Sequence, residues 1–339
     1  MNDRYSRQTL FKYIGEEGQQ KMAGKQVLII GAGALGTGNA ESLVRAGVGK
    51  VTIVDRDYVE WSNLQRQQLY VELDAKNRIP KAVAAKKRLQ QINSEVDIES
   101  HILDITPPEM EQLIKGVDLI IDATDNFDIR MIINDISQKY QIPWIYGSCV
   151  GSYGISFTIV PKETPCLHCL MEDVPIGGLT CETAGIISPT VGMVVVQQTI
   201  EAFKILTENW DALRRKLISF DLWSNHHSSI DISTVKKATC SSCGENPTYP
   251  FLSYENQTKT AVLCGRDTVQ IRPAKRQNRN LHAIAKVLAG KGGKVEQNPF
   301  LLSYTIDDQR LVLFRDGRTL VHGTNDKIKA KTLYYRYFG

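Results

Sequence analysis

The sequence predicts an α/β protein built on a Rossmann-like mixed sheet, parallel in its first half and continued by antiparallel strands, stapled by a metal and followed by a small α+β domain. Three observations carry that prediction. The apolar run Gln26-Val27-Leu28-Ile29-Ile30 opens directly into the glycine turn Gly31-x-Gly33-x-x-Gly36. Strand and helix patterns then alternate to about residue 147, the order that builds a parallel sheet covered on both faces. Two C-x-x-C pairs, Cys166/Cys169 and Cys240/Cys243, stand about 70 residues apart.

The run at 26–30 has the length and continuous apolarity of a buried parallel strand. Residues 37–46 hold few helix breakers, and Gly47 suits a left-handed cap, so a helix is expected there. The next strand, 51–54, ends at Asp55, which completes a βαβ unit with an acid about twenty positions after the glycines. Further strands are expected at 96–102, 117–121 and 144–146, with helices at 81–92 and 128–140. After Gly147 the connections shorten, and strands at 153–160 and 217–222 extend the sheet in antiparallel fashion. Residues 190–206 form a mostly buried helix, and residues 172–187, with Gly177-Gly178, read as a crossover loop carrying Cys181.

The proline-punctuated stretch Asn246-Pro247-Thr248-Tyr249-Pro250 marks a boundary between a first domain, 1–247, and a second, 251–339. In the second, strands at 261–263, 269–271 and 311–314 accompany helices at 280–288 and 326–336. No internal repeat or low-complexity tract stands out.

At 339 residues, 42% hydrophobic and 23% charged, the chain has an ordinary globular composition and room for one large domain plus a smaller one. Its first residues hold no apolar targeting core. No stretch approaches the roughly 18 uninterrupted apolar residues of a membrane helix, so a cytoplasmic setting without a membrane is expected. There, paired cysteines point to a metal rather than to disulfides, with redox-active pairs as the alternative. Charge is uneven: residues 251–339 hold 16 Lys+Arg against 7 Asp+Glu, leaving 25 against 30 in residues 1–250. A basic segment of this size attracts an acidic protein or nucleic acid, and a solvated basic surface explains it equally well.

The chemistry lies in the turns. Without a β-carbon at Gly31, Gly33 and Gly36, backbone N–H groups and a helix N-terminus come close to a phosphate, and Asp55 is placed to accept from a ribose hydroxyl. A dehydrogenase that binds NAD shares these features. It leaves unexplained Asp57, the stretch Ser62-Asn63-Leu64-Gln65-Arg66-Gln67, and Lys81, which set polar and cationic groups beside the phosphates. Asp122 and Asp125 end a buried strand, where open α/β sheets hold ligands and where a carboxylate suits Mg²⁺. In the plainer reading Arg66 and Lys81 are solvated charges and Asp125 or Asn126 caps the next helix. The four paired cysteines fit a closed tetrahedral zinc site of the structural kind. Cys149 and Cys264 lack partners at ligand spacing and read as packing residues.

Together with Arg4-Tyr5-Ser6-Arg7-Gln8, Pro80-Lys81-Ala82, Asp122-Ala123-Thr124-Asp125-Asn126 and Leu179-Thr180-Cys181, these motifs occur in the order of the ThiF/MoeB/HesA enzymes. The chain resembles a bacterial relative of the ubiquitin-activating enzymes from residue 1 to about 245. The resemblance implies ATP, Mg²⁺ and a small ubiquitin-like sulfur-carrier protein ending in Gly-Gly. The carrier's terminal carboxylate attacks the α-phosphate, pyrophosphate leaves, and an acyl-adenylate results. Residue by residue, it assigns Asp55 to the ribose, Asn63, Arg66 and Lys81 to the phosphates, and Asp125 to Mg²⁺. Asp57, Gln67 and Asn126 lie within the same nucleotide-binding stretches. Arg7 is implied to reach into the neighbouring subunit's ATP site, which makes a homodimer with composite sites. The sequence departs at Asn77 and Arg78, where relatives often have a glycine-containing turn, and this puts the local backbone in question.

Cys181 matches a crossover-loop cysteine that engages the activated carrier in some members, whereas others stop at the adenylate; an inert loop thiol is the alternative. The expected function is adenylylation of a sulfur carrier, with the molybdopterin carrier preferred over the thiamin-thiazole one, although no residue separates the two. A tRNA-modifying relative is the further alternative, and nucleic acid is not the expected partner. Residues 251–339 do not resemble the rhodanese domain of some relatives; a role in docking an acidic carrier or a sulfur donor is the working expectation.

Overall fold

The computed structural model describes residues 3–173, 184–253, 260–262, 267–272 and 278–338, which fall into two compact units, the second made of the described residues after 256 together with Ala184. The first runs α1 (Ser6–Thr9), α2 (Gly15–Ala23), β1 (Gln26–Ile30), α3 (Ala34–Ala46), β2 (Lys50–Asp55), α4 (Glu72–Lys76), α5 (Lys81–Ile92), β3 (Asp97–Ile102), α6 (Pro107–Leu113), β4 (Leu119–Asp122) and α7 (Phe127–Tyr140). It continues through β5 (Trp144–Val150), β6 (Tyr153–Ile159), α8 (Leu167–Asp173), α9 (Ser188–Leu206), β7 (Leu217–Asp221) and β8 (His226–Ile230).

These eight strands form one sheet in the order β3-β2-β1-β4-β5-β6-β7-β8. Pairing is parallel from β3 to β5 and antiparallel from β5 to β8, as the change of texture after Gly147 predicts. The apolar run of β1 is continuous because both faces are buried: Val27 and Ile29 join a core with α3, α5 and α9, while Leu28 and Ile30 join one with α7 and α8. β1 lies between β2 and β4, so its glycine turn opens where successive crossovers leave for opposite sides. β5 is longer than its apolar segment suggests. The Cα register carries the pairing through Val150↔Tyr153 into a tight turn at Gly151.

The second unit holds β9 (Thr260–Val262), β10 (Thr268–Ile271), α10 (Leu281–Ala289), β11 (Lys294–Gln297), β12 (Leu301–Ile306), β13 (Gln309–Phe314), β14 (Thr319–His322) and α11 (Lys327–Phe338). Its sheet is antiparallel throughout, in the order β11-β12-β13-β14-β10-β9. Leu281 and Leu288 of α10 and Ala330, Tyr334 and Phe338 of α11 pack on one face against Val269, Leu302, Tyr304, Leu313 and Val321. The Asp316-Gly317-Arg318 turn joins β13 to β14, with Gly317 at φ +87°. No helix among the described residues is long and apolar enough to cross a membrane.

Candidate functional site

The three glycines of the turn separate into two that the fold requires and one that it does not. At Gly31 φ is +100° and a Cβ would lie 2.4 Å from the Ala123 carbonyl oxygen; at Gly36 it would lie 1.9 Å from the Gly31 carbonyl oxygen. At Gly33 a Cβ would meet nothing within 4 Å. Gly33 is also the N-cap of α3, and, having no side chain, it leaves the first-turn N–H groups without a capping bond of its own. An open cradle with unsatisfied donors at the positive end of a thirteen-residue helix fits a phosphate.

Around this turn the acids and the lysine are knitted through the backbone. Asp55 accepts from Ala32 N and from Asp57 N, both at 2.6 Å. Burial raises its carboxyl above the ordinary carboxylate range, and the charge of Lys81 pulls the other way. Lys81 is buried at the first position of α5; its N–H donates to the Asp57 carbonyl at 2.9 Å and its Nζ lies 3.6 Å from Asp57 Oδ2. Arg78, where the sequence departs from the expected family pattern, adopts φ +48°, in the left-handed region that favours glycine.

Asn63 is buried and its Oδ1 accepts from Glu60 N at 2.9 Å, which shapes the short helical turn Trp61–Asn63. Arg66 is half-buried and donates to Ser62 O at 2.9 Å. Gln67 is buried, and among the described residues its Oε1 has no hydrogen-bond partner. Arg56, which sequence reasoning did not single out, pairs with Asp104 at 3.2 Å. Burial opposes its charge, but Asp104 and Asp57 outweigh that and keep it ionised.

At the end of β4 the two aspartates have different fates. Asp122 is fully buried and meets Arg130 Nε at 2.9 Å, while Arg130 also donates to Thr124 O and Gly147 O. Burial pushes the Asp122 carboxyl up and Arg130 opposes that push. Asp125, three residues on, is exposed. Asn126 is the N-cap of α7, its Oδ1 accepting from Ile129 N at 3.1 Å, so the capping alternative holds for that oxygen. Arg130 also escaped the sequence reading, though a charge inside Ile129-Arg130-Met131-Ile132-Ile133 is itself a sign of a buried ion pair.

Arg7 is exposed on α1 and makes no hydrogen bond or ion pair with the described residues. Its neighbours hold the segment down: Gln8 donates to Ala46 O, and Tyr5 packs on Gly47 and accepts from Asn93. Cys181 and Cys264 lie outside the described residues. Cys149, on β5, packs partly buried against the α9-side core.

The four paired cysteines converge. Cys166 Sγ lies 3.9 Å from Cys169 Sγ and 3.7 Å from Cys240 Sγ, and Cys169 Sγ lies 3.5 Å from Cys243 Sγ. These are far beyond a disulfide bond, and close to the roughly 3.8 Å separating sulfurs on a tetrahedron with metal–sulfur bonds of about 2.3 Å. α7 anchors both cysteine segments: Asn134 accepts from Leu167 N, and Asp135 from Phe251 N. Ser242 N donates to Cys240 Sγ at 3.4 Å.

The ThiF family pattern matches residues 5–242, which takes in the glycine turn, the Asp55–Lys81 segment, β4 and the clustered cysteines Cys166, Cys169 and Cys240, and ends one residue before Cys243. The chain belongs to the ThiF family. It is 54% identical over 340 residues to a Bacillus subtilis (strain 168) protein named sulfur carrier protein ThiS adenylyltransferase, covering 100% of both chains. It is 33% identical over 232 residues to a Haemophilus influenzae protein named molybdopterin-synthase adenylyltransferase, covering 68% of this chain and 95% of that one. Among solved structures, the ATP complex of Escherichia coli MccB superposes with a TM-score of 0.62 at 23% identity, over 72% of this chain and 75% of that one. That likeness shows the shared α/β fold.

Proposed function

We propose that this ThiF-family chain adenylylates the C-terminal carboxylate of a ubiquitin-like sulfur-carrier protein, using ATP and releasing pyrophosphate. The open cradle at Gly33, with Lys81 and Asp55 knitted beside it, is the observation that carries the reading. The sequence alone preferred the molybdopterin carrier; we take the thiamin-type carrier instead, because the relative matched along both whole chains, second unit included, is named for it.

Two anions must meet in this reaction. A carrier carboxylate oxygen bonds to the α-phosphorus, the bond to the bridging oxygen breaks, and pyrophosphate departs with the electron pair. In this reading Gly33 and the first turn of α3 hold phosphate through N–H groups. Lys81, Arg66 and Asn63 offset negative charge and orient the chain of phosphates, Gln67 Oε1 is an acceptor for an N–H or O–H of the nucleoside, and Asp55 takes the ribose. Asp125 is the exposed carboxylate that would hold Mg²⁺, which would supply positive charge to offset that of the phosphates. Arg7, without a side-chain partner among the described residues, completes the partner's site in a homodimer. Zinc on the four cysteines is structural, and Cys181 is a candidate to engage the activated carrier. The basic second unit helps dock an acidic partner.

Carrier-dependent exchange of labelled pyrophosphate into ATP, run with a thiamin-type and a molybdopterin-type carrier separately, tests the reading. Exchange that favours the first supports it. Exchange with the second alone would reverse the choice of carrier.

A further inference from the structure

Tyr70 closes a circuit around the glycine turn. It is 6% exposed, and its hydroxyl lies 2.6 Å from the Ala32 carbonyl oxygen and 3.2 Å from that of Lys81. The Ala32 residue is thus held on both sides, its N–H by Asp55 and its carbonyl by Tyr70. In a trans peptide the carbonyl and the following N–H lie in one plane and point in opposite directions, so fixing the Ala32 carbonyl fixes the direction of the Gly33 N–H. No described residue accepts from that N–H, and the space beside Gly33 is open.

The second contact reaches the other half of the cradle. Lys81 is tied to Asp57 through its N–H, Asp57 to Asp55, Asp55 to Ala32, and Tyr70 joins Ala32 back to Lys81. Burial and the neighbouring Asp55 charge push the phenol well above its ordinary value, so it remains a donor. A buried tyrosine needs one acceptor to be satisfied. This one shares its single proton between two backbone oxygens, chiefly that of Ala32 at 2.6 Å and more weakly that of Lys81 at 3.2 Å, which packing alone does not call for.

We propose that Tyr70 is a positioning residue for the nucleotide's phosphates, holding the Gly33 N–H and Lys81 in register so that both act on the same triphosphate. The inference rests on the adenylylation reading and is tested without the carrier. Tyr70→Phe keeps the ring and removes the hydroxyl. Dissociation constants for ATP and for adenosine, measured calorimetrically on both proteins, separate phosphate positioning from general damage, because adenosine has no phosphate. The expected result is a roughly tenfold loss of ATP affinity with adenosine affinity unchanged and melting only slightly lower, the size of a single lost hydrogen bond to an oriented group. Equal ATP affinity in the two proteins, equal losses for both ligands, or a variant that does not fold would overturn the inference. A wild-type chain that fails to bind ATP would instead sink the functional reading on which it stands.

Discussion

Asp122 and Arg130 form a buried ion pair at 2.9 Å, eight residues apart across the turn that carries the exposed Asp125. The pair anchors that turn from below, with Arg130 also holding the Thr124 carbonyl, while Asp125 is left facing outward. Two carboxylates three residues apart therefore fail differently. Asp122→Asn strands a buried guanidinium and should cost about 3–5 kcal/mol in urea unfolding. Asp125→Ala should leave unfolding within about 0.5 kcal/mol of wild type yet abolish carrier-dependent pyrophosphate exchange. Retained exchange would remove Asp125 from the mechanism.

The glycines make the same separation. Gly36→Ala drives a methyl into the Gly31 carbonyl and should destabilise by about 3 kcal/mol or more. Gly33→Ala meets open space, so unfolding should be unchanged within about 0.5 kcal/mol while the KM for ATP rises at least ~10-fold. Wild-type kinetics in Gly33→Ala would mean that no phosphate approaches there.

Metal analysis should find about one zinc per chain, and Cys240→Ser should lower both zinc content and melting temperature together. Zinc-free protein with a fully native melting curve would return the cysteines to the redox alternative.

The Asp221 carboxylate accepts from Ser152 Oγ at 2.7 Å and from Trp223 N at 3.0 Å, and these bonds, the Ser152 one foremost, hold its pKa below the ordinary 3.8. A lowered acid stabilises the fold above its unfolded pKa and ceases to do so as pH falls through its folded one. Wild type should therefore melt above Asp221→Asn near neutral pH, with the gap closing below about pH 3.8. A gap independent of pH would show that the charge contributes nothing.

Much of the first unit was legible because its signals are local. A strand with both faces buried is apolar at every position, as at Leu28 and Ile29, and a turn that admits no β-carbon must be glycine at Gly31 and Gly36. The cysteine cluster followed from spacing alone. What escaped lacks such a pattern. β8, His226–Ile230, is an edge strand exposed along most of its length, so it shows no alternation of apolar residues. α2 is polar along most of its exposed face, with Met22 at its buried end. Tyr70 reads as one more core aromatic until the fold brings Ala32 and Lys81 to its hydroxyl. Arg78 takes a left-handed conformation that ordinarily favours glycine, a local strain of about 1 kcal/mol that the neighbouring bridge Tyr58↔Pro80 and the packing around Ala75 hold in place.

The central claim is that this chain joins AMP to the end of another protein. Intact-mass spectrometry of a thiamin-type carrier, after incubation with the enzyme, ATP and magnesium, reads that product directly. The account predicts a carrier heavier by one AMP moiety, converted by hydroxylamine to the hydroxamate of its last glycine. A carrier of unchanged mass that gives no hydroxamate, with enzyme that demonstrably binds ATP, would contradict it.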